Sequence, residues 1–191
     1  MSGMEPVTLR TDRLVLTSPG PGDVDALYEA CQDADIQRYT TVPSPYLREH
    51  AVAFIDTVAE QWGRGVALTW AIRRDERLIG TIGLYRLDGL GAAEIGYWVA
   101  PPARGEGVLR EAAAAVIEWG FAADGLGLAR IEWRAVVGNL ASARAARALG
   151  FRYEGMLRAA LRNGSGWRSD GWVAGLLAHD DRAPTSWQVL D

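Results

Sequence analysis

The stretch from Ala93 to Val136 constrains the fold more than any other part of the chain. It reads as a strand over Ala93–Ala100, a loop Pro101-Pro102-Ala103-Arg104-Gly105-Glu106-Gly107, a helix from about Val108 to Ala123, and a strand over Arg130–Val136. A crossover of that length, with a helix in it, lets its two strands lie parallel in one sheet. The turn at Asp75-Glu76, between strands predicted over Ala67–Arg73 and Leu78–Arg86, is short enough to force antiparallel pairing. The sheet is therefore expected to be mixed, and the crossover is the place to seek a ligand.

The remaining elements fill out an α+β order. Thr8–Thr17 alternates polar and aliphatic residues and reads as one strand, broken by the Pro-Gly cluster at Pro19–Gly22. Asp23 can cap a helix through Tyr28 and Cys31. A second helix is predicted from about Tyr46 to Trp62, with Ala51, Phe54, Ile55, Val58 and Trp62 at helical spacing before Gly63–Gly65. Beyond the crossover come a short helix, Leu140–Leu149, and strands near Phe151–Leu161 and Trp167–Ala178 joined by Asn163-Gly164-Ser165-Gly166. No repeat or linker divides the chain. It reads as a single domain over 1–191, with about 179–191 as a C-terminal tail.

At 191 residues the chain can bury one sizeable core. The net charge of -4 argues against direct nucleic-acid binding. All 20 basic residues are Arg. Cys31 stands alone, which excludes an intrachain disulfide, and His50 and His179 are too few and too distant to suggest a metal site. The opening residues, Met1 to Pro6, show no basic region followed by an apolar run, and Ala112–Ile117 is too short to span a bilayer. No membrane association is expected, and the chain reads as cytoplasmic.

Arg104-Gly105-Glu106-Gly107 lies between a strand and the start of a helix. Unpaired N–H groups and partial positive charge at a helix start suit phosphate oxygens, and glycine lets them approach the backbone. For a Gly-x-Gly alone, a simple turn before a helix is the commoner explanation. A Walker A loop is excluded because the chain has no lysine, and Arg110 stands where a dinucleotide fingerprint needs its third glycine. Asn139, Ser142 and Gly150 read as N-cap, first-turn polar residue and helix stop when taken singly.

Together these segments resemble a known family. Glu94-Ile95-Gly96-Tyr97-Trp98-Val99-Ala100-Pro101 followed by Arg104-Gly105-Glu106-Gly107 is similar to the acyl-CoA signature of the GNAT superfamily of N-acetyltransferases. Asn139-x-x-Ser142 with Gly150-Phe151 resembles its second motif. Leu9–Leu16 and Tyr153–Arg158 resemble the RimJ/RimL branch, which includes acetylases of ribosomal-protein N-termini. The resemblance implies a mostly antiparallel twisted sheet with a splayed parallel strand pair, flanked by helices. It implies that N–H groups from Arg104, Gly105, Glu106, Gly107, Val108 and Leu109 hold the pyrophosphate of acetyl-CoA. Trp98 and Val99 would pair with pantetheine through the main chain, and Asn139 and Ser142 would face pantetheine and sulfur.

The chemistry implied is direct attack of an amine on a thioester in a ternary complex, with Glu94 as base and Ser142 as donor to the departing thiolate. Glu94 is equally accounted for as an ion-paired strand residue. Three positions depart from the family pattern. Leu109 occupies a site usually held by Gly or Ala, Glu106 sets negative charge beside an anionic ligand, and Ala146 stands where many members carry a general-acid Tyr. The branch resemblance implies a protein or peptide N-terminus as acceptor. The alternatives are a small amine, such as an antibiotic or polyamine, and a non-catalytic acyl-CoA-binding regulatory module. Many carboxylates would mark a polyamine or aminoglycoside site, and an open, sparsely charged groove a peptide site. Of the eight Trp, Trp62, Trp70, Trp98, Trp167 and Trp172 are candidates for an acceptor wall or for core packing. A terminal hairpin at a sheet edge offers a surface for a homodimer.

Overall fold

The computed structural model describes residues 4–191. Residues 1–3, part of the segment read as lacking a leader, lie outside the described residues. Eight strands form one sheet in the order β1-β2-β3-β4-β5-β6-β8-β7. They are β1 (Leu9–Arg10), β2 (Val15–Thr17), β3 (Leu68–Arg74), β4 (Arg77–Tyr85), β5 (Ala92–Val99), β6 (Arg130–Val136), β7 (Arg152–Arg162) and β8 (Arg168–Leu177). All neighbours are antiparallel except β5 and β6. The helices are α1 (Val24–Ala30), α2 (Ala34–Tyr39), α3 (Arg48–Arg64), α4 (Val108–Phe121) and α5 (Leu140–Ala148).

Alternation along each strand separates two cores. Ile82, Ile95, Ile131 and Trp133 meet Ala112, Val116 and Ala143 of α4 and α5. Ala71 and Leu78 meet Leu27, Ile36, Ala51 and Ile55 of α1, α2 and α3. Trp62 and Trp70 are fully buried and packed edge to face at 5.0 Å, so they belong to the core rather than to an acceptor wall. Among the described residues, no helix is long and apolar enough to cross a membrane.

Three segments differ from the sequence-based expectation. Thr8–Thr17 is a tight hairpin rather than one strand. Leu14 N–H donates to the Thr11 hydroxyl (3.0 Å) and Thr11 N–H to the Leu14 carbonyl (3.0 Å), folding β1 back on β2. The short helix α2 was not expected. Its start is fixed by Asp33, whose carboxylate accepts the Ile36 N–H at 3.0 Å. The stretch read as a tail has no helix or strand, yet its Trp187 is 0% exposed. Trp187 packs on Trp133 and Tyr153 at 5.5 and 5.6 Å and donates its indole N–H to the Phe151 carbonyl. Because Trp133 carries part of the site described below, this terminal segment buttresses it. Trp187→Ala is expected to cost about 3–5 kcal/mol of stability, read from a urea melt. A change under about 1 kcal/mol would mean the segment is merely laid against the domain.

Candidate active site

The parallel pair supplies the site by coming apart. β5 and β6 are in register only from Ala92–Ile95 against Arg130–Trp133. Beyond that point Gly96–Val99 stay paired with β4, and Arg134–Val136 stay paired with β8. The gap opens into a cavity of about 1190 Å³, large enough for an extended cofactor arm and part of a second substrate. Ala100 N–H bonds back to Ile79 on the β4 side. By strand alternation, Val99 N–H then points to the other edge, into the gap.

The loop after β5 forms one end of this cavity. Gly105 and Gly107 have φ of 78° and 77°, a left-handed conformation that suits residues without a Cβ. A Cβ at Gly105 would meet open space, so its backbone is free to be approached. The first bond within α4 runs from Glu111 N–H to the Gly107 carbonyl (3.1 Å), which leaves Val108, Leu109 and Arg110 N–H without intrahelical partners. The missing Cβ atoms and aligned donors fit a pyrophosphate.

The β1–β2 turn grips this loop from behind. Arg13 donates through Nε to Glu111 (2.7 Å) and through both terminal nitrogens to the Glu106 carbonyl (3.2 Å each). Thr11 adds a 2.5 Å bond to the same Glu111 carboxylate. That hydroxyl, followed by the Arg13 contacts, holds the Glu111 carboxyl below its usual range. Thr11 and Arg13 stand in the segment that resembles the RimJ/RimL branch, but nothing in the sequence places them behind the phosphate loop.

The structure brings Glu94, Trp98, Val99, Arg104, Gly105, Gly107, Val108, Leu109, Asn139 and Ser142 to the cavity wall. The Glu106 side chain is not on that wall; it pairs with Arg74 instead. The Arg104 guanidinium donates to Asp33 (2.6 Å) and to the Val99 carbonyl (3.0 Å). It therefore ties the loop to the strand end and to α2 rather than standing free. Asn139 caps α5, its side-chain oxygen accepting Ser142 N–H at 3.2 Å.

Two polar clusters face the gap. Glu94 is 23% exposed, and its Oε2 is approached by Arg86 (3.2 Å) and Arg134 (3.6 Å). Among the described residues, its Oε1 carries no ion pair or hydrogen bond. The second cluster joins Tyr97, Trp133 and Ser142. The Trp133 indole N–H donates to the Tyr97 and Ser142 hydroxyls at 3.0 Å each, and those hydroxyls are 3.1 Å apart. Burial pushes the Tyr97 phenol up to about 12, so it stays protonated across the neutral range. If Tyr97 donates to Ser142, the Ser142 proton is left to point into the cavity. Ala146 is fully buried on the inner face of α5. Sequence reading sought a phenol at position 146 and did not weigh Tyr97, whose alternation with Ile95 and Val99 marks it as core.

A family model described as an acetyltransferase (GNAT) domain matches residues 13–152. YoaA of Bacillus subtilis (strain 168), named an uncharacterized N-acetyltransferase, is 35% identical over 153 residues, covering 78% of this chain and 85% of YoaA. In fold, the chain is similar to Mycobacterium smegmatis RimJ in complex with CoA-disulfide. The TM-score is 0.82 at 22% identity, covering 93% of this chain and 90% of that one. RimL, a ribosomal L7/L12 alpha-N-protein acetyltransferase in complex with coenzyme A, gives 0.80 at 21% identity over 90% and 98% of the two chains. The chain belongs to the GNAT family of acetyltransferases and is an acyltransferase that uses acetyl-CoA as its donor.

Proposed function

We propose that the protein acetylates the α-amine of a peptide or protein N-terminus by direct transfer in a ternary complex. The observation that carries the acceptor class is the scarcity of unpaired carboxylates on the cavity wall, although the wall is more charged than the sparsely charged groove expected of a peptide site. Its carboxylates are Asp35 and Glu94, each within reach of an arginine, among several further arginines. A polyamine or aminoglycoside needs unpaired carboxylates, and this wall has a surplus of cations instead. RimJ and RimL share the fold, and RimL is named for acting on the N-terminus of a ribosomal protein.

Acetyl-CoA supplies an acyl group already activated as a thioester, so the chain has only to position, polarise and move protons. N–H groups of the Gly105–Leu109 segment hold the pyrophosphate, and the main chain at Trp98 and Val99 lines up the pantetheine arm. Val99 N–H donates to the carbonyl oxygen as negative charge grows there. Glu94, set between Arg86 and Arg134, accepts the ammonium proton at Oε1, directly or through a water. Ser142, backed by Tyr97 and Trp133, presents its hydroxyl proton to the departing sulfur.

Initial rates over a grid of acetyl-CoA and peptide concentrations test this reading. Intersecting reciprocal plots are expected, because both substrates must be bound before transfer. Parallel plots would indicate a covalent acyl-enzyme and contradict direct transfer. Thiol release with polyamines but with no free-amine peptide would contradict the acceptor class.

A further inference from the structure

Resting on the peptide reading above, we propose that Arg162 and Arg168 form an anion subsite at the acceptor end of the cavity. It selects peptides with acidic side chains close behind the reacting amine. Arg162 and Arg168 face each other in register across β7 and β8, and both line the cavity. Like charges set directly opposite on paired strands cost stability unless an anion lies between them.

Of the other four arginines on the cavity wall, Arg110 stands in the first turn of α4 at the glycine-loop end and has no ion pair among the described residues. The remaining three are neutralised. Arg86 pairs with Glu94, Arg134 with Glu132 and Glu94, and Arg104 with Asp33. Among the described residues, Arg162 and Arg168 have no carboxylate within ion-pair distance. The one bond Arg168 makes through its side chain is to the Ala159 carbonyl, at 3.0 Å. Two guanidiniums offering a fork of N–H donors and no acceptor match a carboxylate.

The pair belongs to the cavity wall rather than to a free hairpin. Gly164 donates its N–H to the Thr40 carbonyl (3.2 Å), docking the β7–β8 turn on the loop after α2. A Cβ at Gly164 would lie 1.6 Å from the Val42 carbonyl oxygen, so this close approach requires glycine. A peptide whose amine reaches Glu94 and whose next residues run along this wall meets Thr41 and the two arginines. A carboxylate placed there relieves their mutual repulsion and gains charge-assisted bonds. A basic side chain adds to the repulsion.

The test is calorimetric titration of the CoA-saturated protein with peptides alike except for Glu-Glu, Gln-Gln or Lys-Lys after the first residue. The Glu-Glu peptide is expected to bind at least about tenfold more tightly than the Gln-Gln peptide. That margin should shrink as salt is raised. In an Arg162→Ser/Arg168→Ser variant the preference should vanish with acetyl-CoA affinity unchanged, and Arg162→Glu/Arg168→Glu should reverse it towards Lys-Lys. Equal binding of the three peptides, or a preference that survives the serine substitutions, overturns the subsite. Turnover is scored separately. Selective binding of the acidic peptide without acetylation leaves the subsite standing and removes the peptide-acceptor reading. Acetylation blind to charge does the opposite.

Discussion

Replacing Glu94 by Gln is expected to lower kcat by about 100-fold or more, with acetyl-CoA affinity unchanged. The substitution keeps the size and planarity of the side chain and removes its capacity to take a proton. Glu94 lies in the paired stretch of β5 just before the strands part, away from the glycine loop, so cofactor binding has no reason to respond. Arg86 and Arg134 both approach Oε2 and leave Oε1 without a partner among the described residues. Steady-state rates at saturating acetyl-CoA, with the cofactor Kd measured in parallel, separate the two effects. A variant with undiminished kcat would assign Glu94 to the surrounding ion pairs and send the search for the base elsewhere. A wild-type protein that binds acetyl-CoA and turns over no amine would instead be a binding module.

Gly107→Trp is expected to weaken acetyl-CoA binding on the order of 100-fold, equivalent to losing about two charge-assisted hydrogen bonds. Gly107 sits at φ 77° and its Cβ would point to within 3.6 Å of an Arg13 nitrogen. An indole there strains the backbone and pushes against the guanidinium that holds the Glu106 carbonyl. The loop would then turn its N–H groups away from the phosphates. Calorimetry on the variant, checked for folding by its melting curve, reads the effect. Wild-type affinity in a folded variant would place the phosphates somewhere other than this loop.

Much of the fold was legible because its signals are local. β6 begins at Arg130 and ends at Val136 as its alternation of polar and apolar residues indicates, and Gly65 closes α3 in the left-handed conformation that glycine stops supply. The crossover length sufficed to predict the parallel pair. What escaped depends on contacts distant in sequence. The β1–β2 turn alternates like a strand and reveals itself only through the Thr11–Leu14 bonds. Trp187 lies in a polar stretch without periodicity, and its burial requires the surface offered by Trp133 and Tyr153. In the site, the glycines and the second-motif residues could be named from spacing and family resemblance. The Arg13–Glu111 clamp, the diversion of Arg104 to Asp33 and the Tyr97–Ser142 contact join residues on separate elements.

The central claim, acetyl transfer to a peptide α-amine, meets its most direct test in one mass-spectrometric experiment. An acidic peptide with a free N-terminus and an internal lysine is incubated with the protein and acetyl-CoA, and the modified residue is located by fragmentation. The account predicts one acetyl group per peptide, on the α-amine, matched by released thiol. Acetylation confined to the lysine side chain, or none from a preparation that readily acetylates a polyamine, would contradict it.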